Sequence, residues 1–324
     1  IVSYMNIGLT TGASDDDCSG IATYSQSGSQ FGYGQLWTTP IMLFLMTAIQ
    51  EASARIGAVT GKGISDNVRE YYGRLWILVV VVLVLIANII DIGAMSEAIN
   101  LFVAVPLWIA ATGITTLILF LELVISYHNY AKILKWLCLS LLAYWIACLI
   151  VPQPWYDLEV ATLVPVMQWT PSFFYMLTAV LGTTISPYLF FWQADQEVEE
   201  EIESGILEEG KKPKITTKFM SHLRIENFLG MLFSQITTWF IIVLTATVLH
   251  NHGVTNINTA ADAARALEPL VVGFPNAGFW AKAIFSSGII GLGLLAIPVL
   301  ATSASYALSE ALQWPKGLSL SLSK

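Results

Sequence analysis

Long apolar stretches alternate with short polar segments along the whole of this chain. Eight stretches are close to or above the roughly 20 residues that a helix needs to cross a bilayer. We predict spans at residues 4–33, with an interruption, and at 36–56, 74–98, 104–125, 131–151, 172–194, 225–249 and 279–312. Residues 58–73 and 257–272 are predicted to be short connecting or amphipathic pieces outside the membrane core. The pattern indicates an all-α, polytopic membrane protein with a single transmembrane domain over residues 1–324.

The composition supports this interpretation and excludes a soluble globular domain. Of the 324 residues, 55% are hydrophobic and only 12% are charged, and the mean hydropathy is +0.66. Soluble domains carry roughly 25% charged residues. Cys18, Cys138 and Cys148 are too few for a disulfide framework. Nothing in the pattern implies a cofactor, a nucleic-acid partner or a protein partner, so the lipid bilayer is the first partner that we expect.

The distribution of basic residues predicts the orientation of the chain. With the N-terminus in the cytoplasm, all but Arg265 and Lys282 of the 15 Lys and Arg residues fall on the cytoplasmic side, as the positive-inside rule requires. We therefore expect a multi-pass protein of the inner or plasma membrane. The acidic run that begins at Asp195 and the lysines that follow it are predicted to form a charged cytoplasmic loop over residues 195–224.

Three consecutive carboxylates interrupt the first span. Asp15, Asp16 and Asp17 lie between Gly12 and Gly20 in an otherwise apolar or small-residue stretch. A charged side chain at this depth is costly unless it meets water, a partner or a cation. Gly and Ser next to the aspartates favour an unwound backbone over a helix. We therefore predict a break in the first helix, in a wall of a cavity.

The sixth span has a second interruption. It reads Gly182-Thr183-Thr184-Ile185-Ser186-Pro187, and Pro187 removes a backbone donor. A plain proline kink is the alternative to a functional break. The two interruptions are five spans apart, which is the spacing of an inverted repeat of five spans. Residues 1–151 would then form the first repeat and residues 172–312 an incomplete second one, which predicts a C-terminally truncated chain.

The residues at the two interruptions offer only oxygen donors. Asp17 is the expected primary ligand, with Asp16, the hydroxyls of Ser14 and Ser186 and the backbone near Thr183 as further candidates. For Asp15 and Asp16, solvation at a funnel mouth is an equal alternative. An oxygen donor set suits hard divalent cations such as Mg²⁺, Ca²⁺ or Mn²⁺. A divalent metal ion is therefore the expected substrate.

These residues resemble the Nramp family of divalent metal transporters. That family breaks its first helix at Asp-Pro-Gly-Asn and its sixth at Met-Pro-His, where this chain has Asp17-Cys18-Ser19-Gly20 and Ser186-Pro187-Tyr188. The resemblance covers nearly the whole chain. It implies a LeuT-like inverted-repeat architecture with broken first and sixth helices, and transport by alternating access with the ion held at Asp17.

Three departures from the family pattern bear on the substrate. Ser186 replaces the soft Met ligand, Gly20 replaces the Asn ligand, and Tyr188 stands in the place of the His. Loss of the thioether removes the contact that favours Mn²⁺ and Fe²⁺ over hard ions, and a wider site suits a largely hydrated Mg²⁺. The chain thus looks more like the family's magnesium-transporting branch, and a tyrosine argues against proton coupling.

The third span carries Asn88, Asp91 and Glu97 on an otherwise apolar helix. Because the family uses acids in this span for a proton path, these residues are candidates for one. Asn88 and Asp91 are three apart and share a helix face, whereas Glu97 does not align well with Asp91. A packing role, or a place at the outer end of the span, is the alternative for Glu97.

Two other functions remain as alternatives. The first is a proton-coupled Mn²⁺/Fe²⁺ symporter of the same family. The second is an intramembrane protease, for which Asp17 and Asp91 would be the only conceivable catalytic pair. An amino-acid symporter is disfavoured because the aspartates would repel a substrate carboxylate.

Overall fold

A computed structural model describes residues 6–72, 74–124, 136–203, 205, 215–268, 275–312 and 314. These residues form α-helices joined by turns, with 3₁₀ turns at Gly32–Gln35, Cys138–Leu141 and His250–His252, and no strand occurs among them. The helices are α1 (Asn6–Asp15), α2 (Cys18–Phe31), α3 (Thr38–Thr60), α4 (Ile64–Tyr72), α5 (Arg74–Asn100), α6 (Leu107–Val124), α7 (Leu142–Ile150), α8 (Trp155–Leu163), α9 (Pro171–Thr184), α10 (Pro187–Glu203), α11 (Thr217–Val248), α12 (Ala260–Leu267) and α13 (Ala277–Leu312).

Helices occupy the described parts of all eight segments predicted from hydropathy, and α8 lies between two of these segments. Within the described ranges, four helical stretches are long and apolar enough to cross a membrane: Leu75–Asn100, Pro171–Ile202, Thr217–His252 and Ala277–Glu310. Leu107–Phe120 and Cys138–Ile150 are shorter apolar helices. The all-helical prediction is confirmed, whereas the count of eight membrane spans stays a prediction.

Helices α11 and α13 form the centre of the structure. Helix α11 packs against α1, α2 and α3, and α13 packs against α5, α7 and α10. The interior between them is filled by large buried side chains such as Tyr24, Tyr144 and Phe285. Helix α5 turns Leu83, Ile89 and similar residues outwards, which suits a lipid-facing surface.

The predicted charged loop 195–224 is wrong at both of its ends. Helix α10 continues to Glu203 and α11 begins at Thr217. Asp195, Glu197 and Glu201 are buried rather than solvated. The physical reason is that α10 carries a polar face which packs inside the protein. On that face the Gln193 amide donates to Glu197 Oε1 at 2.8 Å. Residues 206–214 lie outside the described part of the chain.

Three glycines bring α1 and α11 into backbone contact. A Cβ on Gly12 would collide with the carbonyl group of Gly230, and a Cβ on Gly230 would collide with that of Gly8. Real Cβ atoms do not approach backbone this closely. Small residues at helix crossings are the usual means of close packing in membranes, and here they fix the position of α1 beside α11.

We predict that Gly230→Ala destabilises the protein because the added methyl must push α1 away from α11. Overpacking of this kind costs about 1–3 kcal/mol. The matched control is Gly93→Ala in α5, where a Cβ meets none of the described atoms within 4 Å. Thermal unfolding in detergent should show a lower midpoint for Gly230→Ala and no loss for Gly93→Ala. Equal midpoints for the two variants would contradict the described crossing.

Candidate metal site

Asp17 lies between two helices and caps the second one. Helix α1 ends at Asp15 and α2 begins at Cys18. The Asp17 backbone is extended, with a ψ of 177°. Its Oδ1 accepts hydrogen bonds from the Gly20 amide at 2.7 Å and from the Ser19 hydroxyl at 2.6 Å. Aspartate is a preferred N-cap residue for this reason, so the local sequence Asp-Cys-Ser-Gly itself accounts for the start of α2.

The second interruption lies between α9 and α10. Helix α9 ends at Thr184 and α10 begins with Pro187, which is favoured at the first helical position because its missing N–H would have no partner there. The Ser186 hydroxyl donates to the carbonyl oxygen of Thr183 at 2.5 Å. Tyr188 is therefore the second residue of α10.

The two interruptions meet at the Tyr188 hydroxyl. It donates to Asp17 Oδ2 at 2.7 Å and lies 3.3 Å from the carbonyl oxygen of Ser14, in the last turn of α1. Carbonyls in the last turn of a helix have no helical partner, and this one faces the site. One phenol thus joins α1, the cap of α2 and the start of α10.

Asp91 of α5 completes this group. It is buried, with 1% of its surface exposed, and lies within electrostatic reach of Asp17 and of the backbone amides of Cys18 and Ser19. In the described structure neither of its carboxylate oxygens accepts a hydrogen bond of normal geometry. Two buried carboxylates, those of Asp17 and Asp91, therefore lie within electrostatic reach of each other at the start of α2.

The Asp15 and Asp16 carboxylates bond to α11 rather than to Tyr188. Asp15 Oδ2 accepts from the Ser234 hydroxyl at 3.0 Å, and Asp16 Oδ1 accepts from the Thr238 hydroxyl at 2.9 Å. Both aspartates are fully buried, so a solvated funnel mouth is wrong. Sequence reasoning missed Ser234 and Thr238, although two hydroxyls four residues apart in a long apolar helix are a usable signal.

The other predicted ligands have their candidate ligand atoms engaged in hydrogen bonds within the protein. The Ser14 hydroxyl donates to its own helix at the Thr10 carbonyl, 2.8 Å away, so Ser14 faces the site with its carbonyl instead. The Ser186 hydroxyl and the Thr183 carbonyl are bonded to each other. Gly20 contributes its amide to Asp17.

The three candidates for a proton path have different surroundings. The Asn88 amide lies in the wall of a mostly apolar cavity of about 300 Å³ between α5, α6 and α13. Its Nδ2 donates to the Val84 carbonyl at 3.2 Å, and its Oδ1 is buried without a partner among the described residues. Asp91 lies one turn further along α5, within electrostatic reach of Asp17. Glu97 is only partly buried, near the end of α5.

No positive side chain neutralises these carboxylates within the described structure. The described ion pairs involve other acids, namely Glu51, Glu70, Asp262 and Glu268. Among the described residues, no group of three His, Cys, Asp or Glu side chains has the arrangement of a metal cage. An ion at Asp17 would therefore be held by carboxylate and carbonyl oxygens together with water.

We predict that Thr238→Val lowers stability without weakening metal binding. The change leaves Asp16 Oδ1 buried without its donor, which costs about 1–3 kcal/mol. The control is Thr116→Val, whose exposed hydroxyl bonds only its own helix. Thermal unfolding and Mn²⁺ titration of both variants measure the two effects. A loss of Mn²⁺ affinity in Thr238→Val alone would mean that Asp16 belongs to the ion site.

Residues 8–324 match the family model described as "Natural resistance-associated macrophage protein-like", Nramp. The chain is similar to the divalent metal cation transporter MntH of Listeria monocytogenes serotype 4a (strain HCC23), with 22% identity over 278 residues, which are 82% of this chain and 60% of that protein. It is also 30% identical over 126 residues to the metal transporter Nramp1 of Populus trichocarpa, which covers 37% of this chain and 23% of that protein.

Solved structures show the same fold. The Eremococcus coleocola manganese transporter, in complex with an aromatic bis-isothiourea substituted compound, superposes with a TM-score of 0.80 at 16% identity, over 98% of this chain and 67% of that one. A mutant of the same transporter gives a TM-score of 0.78 at 15% identity, with the same coverage. The chain spans about 60% of the length of the MntH relatives that it matches. The match over nearly all of its residues shows that the chain belongs to the Nramp family.

Proposed function

We propose that this protein moves divalent metal cations across a membrane and that Asp17 anchors the ion. One observation carries the proposal. Asp17 and Asp91 are both buried and lie within electrostatic reach of each other, the Tyr188 hydroxyl links Asp17 to the carbonyl of Ser14, and no described ion pair involves either carboxylate. Two buried negative charges without a positive partner are costly, and a divalent cation would neutralise both.

The donor set favours a hard cation, and we propose Mg²⁺ as the preferred one. Asp17 Oδ2, Asp91 and the Ser14 carbonyl are oxygens, which are the ligands of Mg²⁺ and Mn²⁺. The soft atom nearest to Asp17 in sequence, the Cys18 sulfur, instead lies 3.5 Å from the carbonyl of Ile289 in α13. Few protein ligands leave room for the waters that Mg²⁺ retains.

Alternating access is the proposed mechanism. The breaks between α1 and α2 and between α9 and α10 would belong to two inverted repeats, over residues 1–151 and 172–312. The unit with the broken helices would rock against the rest and open the ion site to each side in turn. We propose a cell-membrane location with the N-terminus in the cytoplasm, in accord with the distribution of Lys and Arg.

A proton-coupled Mn²⁺/Fe²⁺ symporter is the second candidate function. The relatives that the chain matches include a manganese transporter, and the oxygen donors suit Mn²⁺ equally well. Asp91 favours this alternative, since a buried carboxylate beside the ion site can carry a proton. Asn88 argues against a proton path that extends beyond Asp91 along α5, because an amide does not exchange protons.

Asp17→Asn tests the proposed function. Asparagine keeps an oxygen to cap α2 but loses the charge, so we expect Mg²⁺ uptake into proteoliposomes to fall about tenfold or more, the effect of roughly 1.4 kcal/mol in ion binding. Asp157→Asn in α8 is the matched control because this aspartate is exposed. A lumenal pH dye should report no acidification during Mg²⁺ uptake. Unchanged uptake in Asp17→Asn would refute the proposal, and acidification would favour the symporter.

Ser186→Met tests the proposed basis of selectivity. A thioether at the start of α10 adds a soft ligand, so the ratio of Mn²⁺ to Mg²⁺ uptake should rise by about tenfold. Ser186→Ala removes the hydroxyl without adding sulfur and should leave the ratio unchanged. If both variants shift the ratio alike, the shift comes from the lost hydroxyl and the proposed role of this position is wrong.

A further inference from the structure

The Tyr188 hydroxyl occupies the place from which a cation would contact the site. Asp17 Oδ1 already accepts two hydrogen bonds in capping α2, so Oδ2 is the oxygen left for an ion. The hydroxyl oxygen lies 2.7 Å from Oδ2 and 3.3 Å from the Ser14 carbonyl oxygen. A cation that binds both oxygens at once needs this same position.

The hydroxyl hydrogen also occupies the carboxylate oxygen that would attract an incoming ion. The hydroxyl donates this hydrogen towards Asp17 Oδ2, so the positive end of the O–H dipole points at the negative group that attracts the cation. A metal ion in direct contact with both oxygens must therefore turn the hydroxyl away or displace the ring. Either movement breaks the hydrogen bond to Asp17.

The backbone of Tyr188 is held while its side chain makes this contact. The Ser303 hydroxyl of α13 donates to the Tyr188 carbonyl oxygen at 3.1 Å, which ties the first turn of α10 to α13. The ring is buried, with 5% of its surface exposed. Movement of the side chain, rather than of the start of the helix, is thus the less costly way to release Asp17.

We propose that the Tyr188 hydroxyl competes with the transported cation for Asp17 Oδ2 and the Ser14 carbonyl, and so keeps the ion weakly bound and quick to leave. This inference rests on the proposed function, because it takes Asp17 as the ion ligand. It makes Tyr188 a determinant of affinity at the junction of α1, α2 and α10. The exchange is reversible and involves no covalent step: one hydrogen bond is given up for each ion bound.

Tyr188→Phe isolates this competition because it removes only the hydroxyl. A hydrogen bond to a charged group is worth enough that its loss should tighten Mn²⁺ and Mg²⁺ binding roughly tenfold to hundredfold. Tyr24→Phe is the matched control. The Tyr24 hydroxyl pairs with the Thr184 hydroxyl at 2.9 Å and is also fully buried, so this variant loses a similar bond without touching Asp17 and should bind within about twofold of the wild type.

The experiment titrates Mn²⁺ into the purified chain in detergent, follows free Mn²⁺ by electron paramagnetic resonance, and repeats the titration with Mg²⁺ as competitor. It compares wild type, Tyr188→Phe, Tyr24→Phe and Asp17→Asn. Tighter binding in Tyr188→Phe alone, with loss of binding in Asp17→Asn, supports the inference. Unchanged or weaker binding in Tyr188→Phe, with loss in Asp17→Asn, overturns the inference and leaves the proposed function standing. Wild-type binding in Asp17→Asn overturns both.

A second measurement keeps the test independent of affinity. Breaking the phenol–carboxylate bond changes the near-ultraviolet absorption of a tyrosine. Addition of Mg²⁺ should therefore give a tyrosine difference spectrum in the wild type and in Tyr24→Phe, and this signal should be absent in Tyr188→Phe. The same spectrum in all three proteins would overturn the inference.

Discussion

The burial of negative charge without positive side chains is the constraint on which this structure depends. Asp15, Asp16, Asp17 and Asp91 are all buried, and no described ion pair involves any of them. Buried carboxylates need hydrogen-bond donors or cations. The chain supplies donors by ending α1 early, so that the amide of Gly20 and the hydroxyl of Ser19 can turn to Asp17. The interruption between α1 and α2 thus lets the protein itself supply hydrogen-bond donors to the buried Asp17 carboxylate.

One face of α11 supplies hydrogen-bond donors to Asp15 and Asp16. Gly230, Ser234 and Thr238 follow each other at four-residue steps and so share a helix face. The glycine allows the α1 backbone to approach, and the two hydroxyls then reach Asp15 and Asp16. The same face of α11 therefore provides both the close packing against α1 and the hydrogen bonds to Asp15 and Asp16. The three consecutive aspartates are thus divided between two sets of partners: Asp17 bonds to the start of α2 and to Tyr188, and Asp15 and Asp16 bond to α11.

Hydropathy predicts the helical segments, the run of aspartates in an apolar stretch predicts an interruption at Asp17, and the resemblance of the two interruptions to the Nramp motifs indicates the family. They did not predict contacts between distant parts of the chain. Tyr188 and Asp17 form a hydrogen bond although they are 171 positions apart in the sequence, and no local pattern indicates that pair. The acidic run at residues 195–203 was misassigned because a run of like charges usually marks a solvated segment. Here the run continues helix α10, which packs against α3 and α13, and Asp195, Glu197 and Glu201 are buried. The choice between Mg²⁺ and Mn²⁺ stays a prediction, since it depends on water in the site as much as on its residues.

The position of a bound ion tests the central claim most directly. Crystals of the chain grown with Mn²⁺ would locate the ion by its anomalous scattering. The account predicts one peak in contact with Asp17 Oδ2, either directly or through one water, between the Ser14 carbonyl and Asp91, with the Tyr188 hydroxyl moved away from Oδ2. A peak between Asp15, Asp16 and Ser234, with none beside Asp17, would contradict it.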